Sequence, residues 1–255
     1  MARDALQRAA VSSARLIGCI APCHNGERFG ARGVFTDMTL KLFIGNKNYS
    51  SWSMRPWLVL KAFDIAFDET MIPLYRDAAD KQRILDVAPS GKVPVLVDGG
   101  VTIWDSLAII EYLADRFPDV AIWPRDRAAR AHARAISAEM HGGFGPLRRE
   151  CGMNIHRPVR ARHLSLEALV DIARIQQMWI DCRQRHAHSG PYLFGAFSAA
   201  DAMYAPVVHR LRTYAIEVEP KVQDYMDVMR MHPAFAQWTS EALAEALVIE
   251  KFEAD

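Results

Sequence analysis

No stretch of this chain is long and apolar enough to cross a bilayer: its apolar runs are short and interrupted, and none approaches the roughly 18 residues that a spanning helix needs. Charge of one sign is missing too. The 31 basic and 30 acidic residues leave a net +1, which argues for neither nucleic acid nor an anionic membrane as a partner. Cysteine is scarce. Cys19, Cys23, Cys151 and Cys182 are irregularly spaced and fit neither a disulfide framework nor a zinc pattern. No metal is expected, and a reducing, cytoplasmic setting is the default. What remains is ordinary for a globular protein, 51% hydrophobic and 24% charged, with 255 residues for one large domain or two small ones.

Residues 1–37 differ from the rest. They are rich in Arg, Ala and Gly and keep no sustained period. Leu16-Ile17-Gly18-Cys19 looks like a lipoprotein cleavage box, but Arg15 stands where the apolar core of a signal would have to be, so export is not expected. The segment reads as a disordered extension, or as lying ahead of a natural start at Met38.

From Met38 the pattern becomes regular. Strands are expected at 40–44 and 69–74, with helices at 55–63 and 80–85. Val95-Leu96-Val97, Asp98-Gly99-Gly100 and Val101-Thr102-Ile103-Trp104 predict a hairpin, and a helix follows over 107–117, stopped by Pro118. The order is βαβαββα. Beyond Pro124 only helices are expected, at 125–149, 164–186, 198–214, 220–231 and 233–247. Ser198 with Asp201 three residues on is a capping box, and Phe197 is placed as its hydrophobic staple. The chain thus reads as an extension (1–37), an α/β domain (38–120) and an all-helical domain (125–255).

Three places in the α/β part attract attention. Ser50-Ser51-Trp52-Ser53 opens the helix after the first strand, with no cysteine, histidine or acid beside it. Val93-Pro94 precedes the third strand, and Asp105-Ser106 opens the helix after the fourth. Each has a purely local reading: serines and Asp-Ser cap helices, and proline is permitted at the head of a strand. Together, at one end of one sheet, they offer two helix N-termini to an anion beside a proline that can be cis.

These segments resemble the cytosolic glutathione transferase family, over about 38–255. Ser50-Ser51-Trp52-Ser53-Met54-Arg55 resembles the serine motif of its zeta, tau and theta-like classes. Lys92-Val93-Pro94-Val95-Leu96 resembles its cis-proline loop, and Asp105-Ser106 with the helix to Leu113 its acid-serine helix start. Tyr192-Leu193 with the Ser198–Asp201 box resembles its C-terminal folding signal. The resemblance implies a thioredoxin-like N-terminal domain followed by an all-helical C-terminal domain, glutathione as co-substrate, and a homodimer. It gives Ser50, with Ser51 and Ser53 as fallbacks, the hydrogen bond to the glutathione sulfur. Val93, ahead of a cis Pro94, would pair with the cysteinyl unit. Asp105 and Ser106 would hold the γ-glutamyl end and Lys92 the glycyl carboxylate.

The hydroxyl has a physical use there. A free thiol, with a pKa of about 8.5, is only about 3% thiolate at pH 7. A hydrogen bond to a charged group is worth roughly 1.5–3 kcal/mol, which lowers that pKa by about one to two pH units and raises the thiolate fraction roughly ten- to twenty-five-fold. Relatives that exchange disulfides carry a cysteine at this helix start, so that chemistry is disfavoured here.

In the helical part, Gly142, Gly143, Gly145 and Pro146 imply a bend. Ser137, His141, Phe144 and Arg148 fall at helical spacing. Phe144, Arg148 and His141 are taken as the pocket for a second, electrophilic and hydrophobic substrate, with Met153 and Asn154 after them, and packing between domains is the alternative. Cys151 and Cys182 read as inert, and Trp179, Trp238, Met226, Met229 and Met231 as core. The function expected is conjugation of glutathione to a small electrophile. The alternatives are a zeta-type cis-trans isomerase acting on maleylacetoacetate and a non-catalytic adaptor. Zeta-type isomerases usually carry a cysteine where this chain has Trp52, which weighs against the first of these.

Overall fold

Leu40, Leu42 and Ile44 turn inward from the first strand while Lys41 faces out, the alternation that pins a strand to a core on one face. In the computed structural model, which describes residues 39–253, this strand, β1 (Leu40–Ile44), lies inside a four-stranded sheet. The elements run β1, α1 (Ser51–Ala62), β2 (Phe67–Met71), α2 (Ala78–Val87), β3 (Val95–Asp98), β4 (Val101–Trp104) and α3 (Ser106–Arg116). The helices α4 (Arg127–Gly142), α5 (Gly145–Glu150), α6 (Leu166–His186), α7 (Ala199–Thr213), α8 (Pro220–Met231) and α9 (Pro233–Leu243) follow. The readings made for residues 1–37, Cys19 and Cys23 included, lie outside the described residues.

The strand order is β2-β1-β3-β4, with β1/β2 parallel across α1 and the other two pairings antiparallel. The hairpin turns at Gly99-Gly100, where Gly99 takes a positive φ of 57°. Register places the site. Phe43 pairs with Val95 and Val95 with Trp104, so the exit of β1, the entry of β3 and the exit of β4 emerge side by side.

Some boundaries differ from expectation. Helix α1 starts at Ser51, four residues early, because Ser50 is its N-cap. Pro56 therefore sits inside the helix, where its missing N–H leaves the Trp52 carbonyl without a helical donor. β2 begins and ends earlier than 69–74, since Pro73 cannot extend the ladder. The long helix expected over 125–149 is two helices. Gly143 caps α4, and Phe144 adopts left-handed φ and ψ of 56° and 41°. α9 stops at Leu243, short of 247.

Helix α1 is buried along nearly its whole length and packs on α7, of which only Arg212 is exposed. The α/β half and the helical half thus share one core, which holds Trp57, Trp179, Trp238, Met226 and Met229. Met231 is the exception among the methionines expected inside, at 74% exposed.

Candidate functional site

Two adjoining cavities of about 820 and 510 Å³ open at the sheet end defined by that register, and Trp52, Lys92 and Val93 stand in the walls of both. Ser50 and Ser51 line the larger, with Tyr49, Arg148, Met153, Arg210 and Phe252. Pro94, Trp104, Asp105 and Ser106 line the smaller. The serine pair, the proline loop and the Asp-Ser start, far apart in sequence, therefore meet in one place.

Ser50 accepts from the Ser53 N–H at 3.4 Å, and its hydroxyl donates to Ser53 Oγ at 2.8 Å. Ser53 Oγ in turn accepts from the Gly45 N–H at 3.1 Å. Ser51 is held differently. Arg210, on α7, donates from Nη2 to Ser51 Oγ at 3.3 Å. A guanidinium can only donate, so Ser51 keeps its own proton for a third party, whereas Ser50 gives its proton to Ser53 and frees it only if that hydroxyl pair reverses.

The Val93-Pro94 peptide is cis, and neither main-chain group of Val93 joins a backbone hydrogen bond among the described residues. A free N–H and C=O beside a cavity invite an extended peptide ligand. Asp105 caps α3 at a φ of 80° and a ψ of 134°, a conformation that costs a non-glycine residue of order 1–3 kcal/mol. Its Oδ1 accepts from the Leu107 and Ala108 N–H groups at 2.9 and 3.4 Å. Its Oδ2 meets His141 Nε2 at 3.2 Å, and the carboxylate stays 44% exposed. Ser106 beside it is buried, and its Oγ has no partner.

From the helical half, His141 reaches Asp105 and sets its ring edge-on to Trp52, 5.2 Å between centroids. Burial lowers its pKa, with Asp105 pushing the other way, and its Nδ1 is orphaned. Arg148 lines the larger cavity and lies 5.3 Å from the Trp52 ring centre. Phe144 does not line it. The left-handed turn at Phe144 breaks the expected helical face and turns this ring into the core, 8% exposed, and Ser137 is likewise buried. Met153 reaches the cavity, whereas Asn154 bonds the C-terminal segment at Phe252 O and Glu253. Cys151 and Cys182 are buried thiols that desolvation pushes up to about 11 and about 12, which suits an inert role.

Arg210, Trp52, Tyr49 and Phe252 were not singled out as site residues from sequence. Tyr49 and Trp52 carried a local signal, their places beside and within the serine motif. Arg210 sits in the last turn of α7, 159 positions from Ser51.

Comparison with known proteins identifies the family. Residues 49–116 match the N-terminal domain of glutathione S-transferase and residues 127–240 its C-terminal domain. A probable maleylacetoacetate isomerase of Caenorhabditis elegans is 30% identical over 197 residues, 73% of this chain and 83% of that protein. The maleylacetoacetate isomerase of Pseudomonas aeruginosa is 26% identical over 78% of this chain and 94% of its own. Among solved structures, a glutathione transferase homolog from Burkholderia with bound glutathione superposes with a TM-score of 0.61, covering 80% of this chain and 98% of that one at 23% identity. A thioredoxin-like βαβαββα unit, an all-helical unit and both family domains in register along one chain place this protein in the glutathione S-transferase family.

Proposed function

We propose that the protein binds glutathione across the two cavities and joins it through its sulfur, attacking as thiolate, to a small electrophile held against the helical half. The free main chain of Val93 pairs with the cysteinyl unit. The unpartnered Ser106 Oγ and the exposed Asp105 carboxylate take the γ-glutamyl end, the hydroxyl on its carboxylate and the acid on its ammonium. Lys92 lies toward the glycyl carboxylate. Trp52, Arg148 and Met153 face the electrophile, and the strained Asp105, steadied by His141, keeps the γ-glutamyl subsite in shape.

One observation carries the mechanism: Arg210 donates into Ser51 Oγ and leaves the Ser51 proton available at the N-terminus of α1. A hydroxyl that already accepts from a cation is a better donor, and the helix end favours the anion it meets. Conjugation needs no base beyond this. The resemblance puts the donor at Ser50, and the hydrogen bonding favours Ser51 with Ser50 as cap and second donor.

Thiolate formation is measured by difference-ultraviolet pH titration of bound glutathione. Wild type is expected to ionise the thiol about one to two pH units below its free value. Ser51→Ala removes most of that shift and Ser50→Ala less. Bound glutathione with an unshifted thiol in wild type rejects the mechanism. No binding at all turns the reading toward the adaptor alternative.

A second reading, favoured by the names of the relatives, is glutathione-dependent cis-trans isomerisation, in which the thiolate adds to a conjugated double bond and leaves after rotation. The same residues serve it, and turnover of maleylacetone without turnover of aryl halides selects it. A cytoplasmic homodimer acting in detoxification completes the proposal. Edge strand β4 leaves Val101 and Trp104 about half exposed, apolar area of the kind a partner subunit covers.

A further inference from the structure

The larger cavity is lopsided in charge. Arg76, Lys81, Lys92, Arg148 and Arg210 line it, against one acid among the described lining residues, Asp77. Arg76 is already engaged, bonded to Asp80 and near Asp77, and Lys81 donates to the Gly91 carbonyl. These two and Lys92 belong to the α/β half, where the glycyl end of glutathione lies. Arg148 and Arg210 belong to the other wall, where the thiol meets its electrophile, and glutathione's carboxylates are accounted for elsewhere.

That second wall is cationic to some depth. Arg55 sits behind it, 2% exposed, with its guanidinium 4.3 Å from the Trp52 ring centre and with Nε and Nη1 buried and unpartnered. Burial, together with repulsion from Arg148 and Arg210, pulls Arg55 down to about 9, so it is still charged at neutral pH. Arg210 spends its bonds on the Cys151 and Arg148 carbonyls and on Ser51, and its Nε is orphaned. Arg148 uses Nη1 on the Met140 and His141 carbonyls, at 3.3 and 3.2 Å, and its Nε and Nη2 make no hydrogen bond among the described residues. None of the three has a carboxylate within ion-pair distance among the described residues. Asp171 draws on Arg148 from farther off, and its carboxylate is taken by the Leu147 N–H. Asp105 draws on Arg55 in the same way, from beyond ion-pair distance. Three guanidiniums with no ion-paired carboxylate among the described residues, two of them against the Trp52 indole, are costly unless an anion arrives.

We propose that the electrophile taken by this site carries a carboxylate, gripped by the free edge of Arg148 over Trp52, with Arg55 and Arg210 supplying the positive field behind it. A carboxylate matches the planar guanidinium fork, and Arg148 presents two adjacent donors to it. This narrows the hydrophobic electrophile of the sequence reading to an amphipathic one, an apolar body on Trp52 and Met153 with an anionic end at Arg148. The inference rests on the glutathione reading above.

The test is a matched pair of aryl chlorides, 4-chloro-3-nitrobenzoate and 4-chloro-3-nitrobenzamide. In each the glutathione sulfur bonds to the ring carbon that bears chlorine, chloride leaves with the bonding pair, and the thiol proton has already gone to solvent. Each kcat/KM is divided by the uncatalysed rate constant of the same chloride with glutathione, because the carboxamide activates the ring more than the carboxylate does, and every ratio and rate compared here is so corrected. Wild type is then expected to favour the benzoate about 10- to 100-fold, the factor a charge-assisted pair confers. Arg148→Gln brings that ratio to within about threefold of one, and Arg148→Lys keeps part of it. Calorimetry of 3-nitrobenzoate against 3-nitrobenzamide, on wild type saturated with S-methylglutathione, should show the same preference without turnover. Equal rates in wild type, or a preference that survives Arg148→Gln, overturn the proposal. If the thiolate forms and the benzoate has no advantage, this inference alone fails. If glutathione neither binds nor ionises, the conjugation reading fails and takes this one with it.

Discussion

A buried hydroxyl with no partner destabilises a fold by roughly 1–3 kcal/mol, and Ser106 Oγ is such a group. If it waits for a ligand, removing it should separate stability from binding. Ser106→Ala is expected to be as stable as wild type, or more stable by up to about 1 kcal/mol in urea unfolding, because no protein bond is lost. Its glutathione Kd should rise about tenfold, the share of one charge-assisted bond. A variant that is destabilised and binds glutathione as before would make Ser106 a packing residue. At this scale the sequence is legible wherever neighbours along the chain carry the signal. Ser50, Ser51, Val93, Pro94, Asp105 and Ser106, each read from its motif, all line the two adjoining cavities. Arg210 was invisible, since an arginine in a helix's last turn looks like any solvated one until folding sets α7 against α1. Phe144 misled because helical spacing presumes an unbroken helix, and Gly143 cannot carry a side chain there. A Cβ would stand 2.7 Å from the Glu139 carbonyl.

Elements with strong end signals were readable almost to the residue. β1 and α8 match expectation, and the hairpin turns where Asp-Gly-Gly places it. Helix α7 starts at its capping residue, but the cap does more than close a helix. Asp201 is fully buried and accepts from the N–H groups of Leu193 and Ser198 and from the hydroxyls of Ser198 and Tyr225, all within 3.0 Å. It therefore ties the loop before α7 and helix α8 to one carboxylate. Phe197, ahead of the cap, also joins an aromatic group. It stacks on His232 at 4.3 Å and packs near Phe63 and Tyr192. Asp201→Asn keeps the shape and turns one acceptor into a donor that faces other donors. It is expected to cost roughly 1–3 kcal/mol, read as a lower urea midpoint at unchanged m-value. A loss under about 0.5 kcal/mol would reduce the box to an ordinary exposed cap.

Across the whole molecule, what the sequence hides is what distant segments do to each other. Lys47 at the exit of β1 is buried among Glu69, Glu241 and the rings of Trp57 and Trp238, while Glu245 accepts from the backbone of Lys47 and Asn48. The Tyr49 hydroxyl donates to Glu253 at 2.5 Å, so the C-terminal segment closes over the serine loop. Pairs nearly 200 positions apart leave no period to read. Buried charge gives this single core a testable pH signature, written in two groups of opposite sign on α7. His209, stacked on Phe235, is held down to about 3 by burial, with Arg212, Arg230 and Arg210 adding repulsion. As pH falls from about 6.5 to about 3, the unfolded chain takes a proton that the folded chain refuses, and stability is lost. Burial holds Asp201 up at about 6 despite its four donors. As pH falls from about 6 to about 3.9 the folded chain protonates first, and stability is gained. Each contributes at most about 1.4 kcal/mol per pH unit, so between about pH 6 and 4 the two offset one another. Urea unfolding from pH 7 to pH 4, read as variant minus wild type, removes the surface carboxylates common to both. Asp201→Asn should lose additional stability over that interval, because the His209 slope then stands alone. His209→Gln should gain on wild type as the solution is acidified, because only Asp201 remains. Curves that run parallel to wild type for both variants would mean that neither group titrates differently on folding, and that α7 is not the buried electrostatic centre of the fold.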